Sequence, residues 1–217
     1  MDAYLISVFT FIGFWIILAM SLNLLVGYAG QVSIGHAAFF GIGAYTSAVA
    51  TVKFGVGFPL DLILATVLAG VLGGVLGLPA LRVRHDFLVL ATMGINFIVV
   101  AILLYTPAFG GAYGIVGIPP ITIAGVEFLG LSMLLLVYGF VGVLFILKVL
   151  LLKSWFGFRL VAIRDDEEAA AAIGINVAST KIWAFVLSCS VAGLAGSLYA
   201  RQLGSVYPDN FGFVESV

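Results

Sequence analysis

The chain has 217 residues, of which 63% are hydrophobic and only 9% charged, with a formal net charge of −1. That composition, with a mean hydropathy of +1.26, lies far above the roughly 45–50% apolar content of soluble domains, and one core of this size could not bury so much apolar surface. A soluble domain is excluded, no basic patch suggests nucleic acid as a partner, and a single cysteine, Cys189, rules out a disulfide within the chain.

The apolar runs are long and continuous and do not alternate with a period of two, which fits membrane helices and argues against an outer-membrane barrel. Six segments approach the roughly 20 residues a spanning helix needs: 3–26, 37–52, 60–81, 87–105, 129–152 and 182–200. The expected fold is all-α, a polytopic transmembrane bundle forming one domain over 1–217, with a short or broken second helix. The start, Met1-Asp2-Ala3-Tyr4, has no basic region and further spans follow, so a cleaved signal peptide is not expected.

Between the first two segments, residues 21–45 read SLNLLVGYAGQVSIGHAAFFGIGAY and interrupt the apolar pattern with Gly27, Gly30, Gln31, Ser33, Gly35 and His36. Every backbone polar group in lipid must be paired, so such a break is tolerated only at the surface or where it lines protein or a water-filled path. Discontinuous helices also present amide-rich ends to polar solutes, a way to meet a carboxylate without a buried charged side chain. Two readings fit: a solute pathway, or an interfacial turn whose polar side chains satisfy backbone and headgroups. If the break is a turn at the cytoplasmic surface the N-terminus lies outside; if it lies within the membrane, the first segment is free to run either way.

Farther along, Gly70/Gly74 and Gly73/Gly77 form overlapping G-x-x-x-G pairs, and Ser188, Ala192, Gly196 and Ala200 repeat every four residues. Small residues so spaced let helix backbones approach closely in lipid. Asn96, in the middle of the fourth segment, and Asn23 need partners there, either across helices or along a solute path. His85, beside Arg84 and Asp86, reads as interfacial. The stretch from Gly110 to Pro120, GGAYGIVGIPP, reads as a rigid loop.

Arg82 and Arg84 mark one connection as cytoplasmic, and Lys148, Lys153, Arg159, Arg164 and Lys181 mark the 153–181 loop likewise, whereas 106–130 carries no Lys or Arg. Within that loop, 157–174 reads GFRLVAIRDDEEAAAAIG. Asp165 is expected to cap a short helix with Glu168 reaching back, Ala169 to Ala172 favour helix, and Gly174 ends it in a left-handed conformation. A helix below about 12–15 residues is marginal alone, so it either docks against a partner or remains a solvated loop.

Several chemistries are absent. The sequence has no G-x-x-x-x-G-K-[ST] phosphate loop, no H-E-x-x-H or C-x-x-C pair, no G-x-S-x-G elbow and no intramembrane carboxylate pair. Two histidines and one cysteine make a poor basis for a multi-ligand metal site. No catalytic residue, metal or cofactor is expected.

Three stretches carry a resemblance: LNLLVGYAGQVSIGHAAFFGIGAY, the GG-x-x-GI-x-GIP element from Gly110 to Pro119, and AIRDDEEAAAAIGINVASTK. Together they resemble the permease subunits of bacterial branched-chain amino acid ABC importers, over almost the whole chain. Glu168-Ala169-Ala170 followed three residues later by Gly174 matches the E-A-A-x-x-x-G coupling element of such permeases. The resemblance implies an inner-membrane subunit that pairs with a second, homologous permease, two cytoplasmic ATP-binding subunits and a periplasmic solute-binding protein. It places Arg164, Asp165, Glu167, Glu168, Ala169, Ala170 and Gly174 at the ATPase; the substrate-path candidates, Gly27, Gly30, Gln31, Ser33, Gly35, His36 and Asn96, come instead from the polar break and the mid-span polar residue themselves. Many relatives carry an acidic residue near Asn96-Phe97, and relatives continue past Val217 with further helices, so the chain is expected to lack its C-terminal part. Alternatives are a permease for urea, short amides or other amino acids, an ATPase-independent channel or carrier, and a membrane scaffold without transport.

Overall fold

A computed structural model describes residues 3–80, 85–123 and 125–212, and within them the side chains of all but 79–80 and 85–88. Arg82 and Arg84, and the side chains of His85 and Asp86, lie outside the described residues.

Among the described residues eight α-helices follow in order: α1 (Ala3–Asn23), continued by a π-helical turn (Leu24–Tyr28), α2 (His36–Phe54), α3 (Leu60–Ala80), α4 (His85–Tyr105), α5 (Leu131–Lys153), α6 (Trp155–Asp165), α7 (Glu167–Ala172) and α8 (Val177–Leu203). Five of them are long and apolar enough to cross a membrane, or six if α4 is joined to the turn after it, from which it bends by 81°. The protein is a multi-pass, all-α membrane bundle. α2 begins at His36 and has 19 residues, and α8 has 27, about 40 Å of helix.

α8 is the spine. Down one side it meets α3 head to tail: Asp61 reaches Arg201, Gly73 lies under Cys189 and Gly77 under Phe185. Down the other it runs alongside α2, where a Cβ on Gly43 would strike the Gly193 backbone and one on Gly196 would strike the Phe40 carbonyl. Small residues therefore bring α2, α3 and α8 to backbone contact, which is how helices gain packing where lipid is as apolar as leucine. Between them Phe39, Phe40, Tyr45, Phe185 and Leu198 close the core.

α1 packs on α5 with the same direction of travel: Tyr138 Oη donates to the Phe9 carbonyl near one end, and Lys148 Nζ donates to Asn23 Oδ1 at 2.6 Å near the other. α5 is otherwise a peripheral helix with few buried residues. The short strands β1 (Ile115–Val116) and β4 (Ser205–Val206) pair antiparallel, as do β2 (Ile121–Ile123) and β3 (Val126–Phe128). The first pair ties the Gly110–Pro120 loop to the chain after α8. Because α5 and α8 connect that end to α6 and α7, the loop and the α6–α7 hairpin occupy opposite ends of the bundle.

Candidate functional site

The break between α1 and α2 starts where the π-helical turn ends. Gly30 takes a left-handed φ of +66° that most side chains resist, and the chain then turns back, with Gln31 N–H donating to the Leu25 carbonyl at 3.1 Å. From there the backbone climbs beside α4. Ile34 N–H donates to Thr92 Oγ1 at 3.2 Å, Gly35 N–H reaches Ser33 Oγ at 3.4 Å, and Gly35 sits so close to the Thr92 carbonyl that a Cβ would collide with it. α2 opens only at His36, level with Ser188, which lies about 17 Å along α8. The break thus enters the bundle to roughly mid-depth, and its non-helical backbone is sheltered by protein, as lipid requires.

His36 is buried in a polar knot. Ser21 Oγ donates to the Ser188 carbonyl at 2.7 Å, and Ser188 Oγ donates to the Ser21 carbonyl at 2.6 Å, locking α1 to α8. Both hydroxyls also lie within hydrogen-bond reach of His36 Nε2, at 2.8 and 3.0 Å. Among the described residues, His36 Nδ1 has no partner, and neither do Gln31 Oε1 and Nε2, although Gln31 is fully buried. Buried polar atoms are normally paired, and Tyr45 Oη, Asp61 Oδ1 and Arg201 Nη2 share this condition elsewhere in the bundle. Asn96, buried in α4, stands one turn beyond Thr92 on the stripe that meets the break. The structure accordingly brings Gly27, Gly30, Gln31, Ser33, Gly35, His36 and Asn96 into one region. Asn23 instead points sideways, to Lys148 on α5.

The expected cap of the short helix shifts by one residue. Asp166 caps α7, accepting from Ala169 N–H at 2.9 Å, whereas Asp165 is the last residue of α6 and its carboxylate is held by Arg164 at 3.1 Å. With the cap at Asp166, Glu168 occupies the second helical position, one short of the capping-box position. Gly174 has a φ of +88°, and its N–H and that of Ile175 close the last turn on Ala171 and Ala170. Ala170 is buried against the bundle while Glu168, Ala169, Ala172 and Ile173 face outward. Glu167 does not face outward with them: its carboxylate takes Lys181 Nζ at 2.6 Å and fastens α7 to the first turn of α8.

Sequence reasoning missed one feature. Asp61 and Arg201 are both buried and joined at 2.9 Å, with Ser47 donating to the same carboxylate oxygen at 2.7 Å. Arg201 Nη1 also donates to the Pro119 carbonyl at 2.9 Å, so α2, α3, α8 and the outer loop meet at one ion pair. The available signal was a lone charge within each of two apolar runs, since buried charges are paired.

A cavity of about 770 Å³ between α2, α3 and α4 has walls of Val49, Leu68, Val71, Ile98 and Leu103. It is apolar and separate from the break, and offers nothing to a polar solute.

This architecture coincides with a sequence match over nearly its full length: the family described as "Branched-chain amino acid transport system / permease component" matches residues 4–217. The chain belongs to this family. It is 35% identical to the high-affinity branched-chain amino acid transport system permease protein LivM of Salmonella typhimurium and 33% identical to that of Escherichia coli, each over 93% of this chain and 53% of the relative. The L-arabinose transport system permease protein AraH of Escherichia coli matches a shorter stretch, 43% identical over 31% of this chain and 21% of the relative. No solved structure matches. The chain spans about half the length of the LivM relatives it matches. The family's members are permease components of transport systems.

Proposed function

We propose that this chain is the membrane-spanning part of an ATP-driven importer of branched-chain amino acids, in the bacterial inner membrane. The observation that carries the reading is α7: a capped, glycine-terminated helix with the E-A-A-x-x-x-G pattern, exposed at the end of the bundle opposite the Gly110–Pro120 loop. A separate ATPase docks there on Glu168, Ala169 and the exposed Ile173, and its closure moves α7 as a lever. A homologous permease and a solute-binding protein at the opposite end complete the system. The solute passes by the 27–36 break, where the amide of Gln31 and Nδ1 of His36, without partners among the described residues, are polar groups that a translocated amino acid would satisfy in turn.

The test uses the full-length permease with its companion ATPase. Glu168→Lys reverses a charge on the exposed face of α7, and Gly174→Pro forces a φ near −65° where +88° is required. Both variants should reach the membrane in normal amount yet lose leucine uptake by on the order of tenfold or more, a coupling loss of the usual size. Normal uptake in both refutes the docking role. Full uptake by the permease alone, without ATPase, would favour a self-contained carrier.

A further inference from the structure

Arg164 belongs to the stretch that resembles an ATPase-docking element, yet its side chain, although exposed, reaches back to the break. Nη1 donates to the Gly27 carbonyl at 2.8 Å, across 137 positions of sequence. That carbonyl lies in the last turn of the helix that ends at Tyr28, where carbonyls lack intrahelical partners and a cation is favoured. The stem of Arg164 lies on Gly30: a Cβ there would come within 3.0 Å of Arg164 Cγ and 3.4 Å of its Cα. Asp165 holds the rest of the guanidinium, at 3.3 Å from Nε and 3.1 Å from Nη2, so the fork is fixed on both sides.

Arg164 is three residues before α7, in the last turn of α6, and α7 has its own attachment, Glu167 to Lys181, near the start of α8. Seven residues beyond Lys181, about two turns up α8, Ser188 holds Ser21 and His36. The break is therefore gripped at its lower end through Arg164, in the last turn of α6, and at its upper end through α8, which Glu167 of α7 holds by way of Lys181.

We propose that Arg164 is the positioning residue that passes movement of α7 to the Gly27–Gly30 end of the break, opening and closing the solute path. This rests on the reading of α7 as the ATPase lever. A displacement of α7 that carries the end of α6 with it must pull the Gly27 carbonyl, break that hydrogen bond or slide Arg164 over Gly30, where the absence of a side chain leaves room for the motion. Lysine could keep a contact with the carbonyl but not the two-sided fork, so it serves only in part.

The experiment places the full-length permease, with its ATPase, in lipid nanodiscs and reads the maleimide labelling rate of a Val32→Cys probe, half-exposed in the break, with and without ATP and vanadate. Cys189 is fully buried and gives little background. With Arg164 present, nucleotide should change the labelling rate; Arg164→Ala should reduce that change on the order of tenfold, and Arg164→Lys should restore part of it. In proteoliposomes, leucine moved per ATP hydrolysed should follow the same order. A nucleotide response that survives intact in Arg164→Ala overturns the proposal, as does a break that never responds although the ATPase remains bound. A variant whose complex is simply recovered in lower yield, with its coupling ratio unchanged, overturns it too. Failure of the unmutated complex to retain any ATPase would overturn the lever reading itself.

Discussion

Asp61 and Arg201 are charged side chains in a body that is otherwise oil, and their environment decides what each contributes. Taking either charge out of water costs several kcal/mol, which their mutual attraction and the added hydrogen bonds from Ser47 and to Pro119 offset. Removing one partner leaves the other charge buried alone. Asp61→Asn should therefore lower resistance to thermal or detergent unfolding by about 3–5 kcal/mol, whereas replacing both partners with apolar residues of similar volume, Asp61→Leu with Arg201→Met, should recover most of it. Equal destabilisation by the single and the double variant would show that the pair itself is not the stabilising unit. The two residues are 140 positions apart, so neither their burial nor their partnership was legible in the sequence; only the oddity of each charge was. Gln31 and His36 were legible as polar residues in an apolar region, but the Ser21–Ser188 exchange that surrounds His36 Nε2 needed the fold.

At the scale of elements, glycine position separates contact from spare room. Gly43 and Gly193 bring α2 and α8 to backbone contact, while Gly139 and Gly142 on α5 have open space where a Cβ would go. Gly43→Ala should destabilise by roughly 1–3 kcal/mol, because the two helices must part to admit the methyl group. Gly139→Ala should be neutral or stabilising by up to about 1 kcal/mol, the gain in helix propensity alone. Unfolding midpoints of the two variants in the same detergent check this, and similar values for both would mean that backbone approach does not organise the bundle. Four-residue spacing pointed to Gly70, Gly73 and Gly77, which do lie against α8. It gave no hint of Gly43, whose importance comes from the crossing of α2 over α8. Helix α7 was legible from its alanines and Gly174, but its cap moved from Asp165 to Asp166 because Arg164 keeps Asp165 in the preceding helix. Composition announced the helices, and the glycine-rich interruption announced the break; how far the break enters the bundle depended on which residues of α4 and α8 it meets.

For the molecule as a whole, the packing settles the direction of α1 that the sequence left open. α1 runs with α5, so Ala3 starts at the end that holds the Gly110–Pro120 loop, and the chain after α8 returns to that same end. Of the nine Lys and Arg residues, only Lys53 and Arg201 belong to this end by position in the chain, and Arg201 is neutralised by Asp61. The excess of positive charge at the α6–α7 end is the usual mark of the cytoplasmic face. α5 alone, at 23 residues, is about 35 Å long and spans a hydrocarbon core of about 30 Å, so no residue of one end can reach the other surface. Tyr113 and Ile173 are well exposed at opposite ends. A Tyr113→Cys variant should react with a membrane-impermeant maleimide in intact spheroplasts and be protected in inside-out vesicles, and Ile173→Cys should give the reverse. Neither change removes a buried contact, so both proteins should fold normally. Labelling of both cysteines from the same side would break the separation of α7 and the Gly110–Pro120 loop on which the proposed lever role of α7 rests, whereas both reversed together would keep the architecture and invert its orientation.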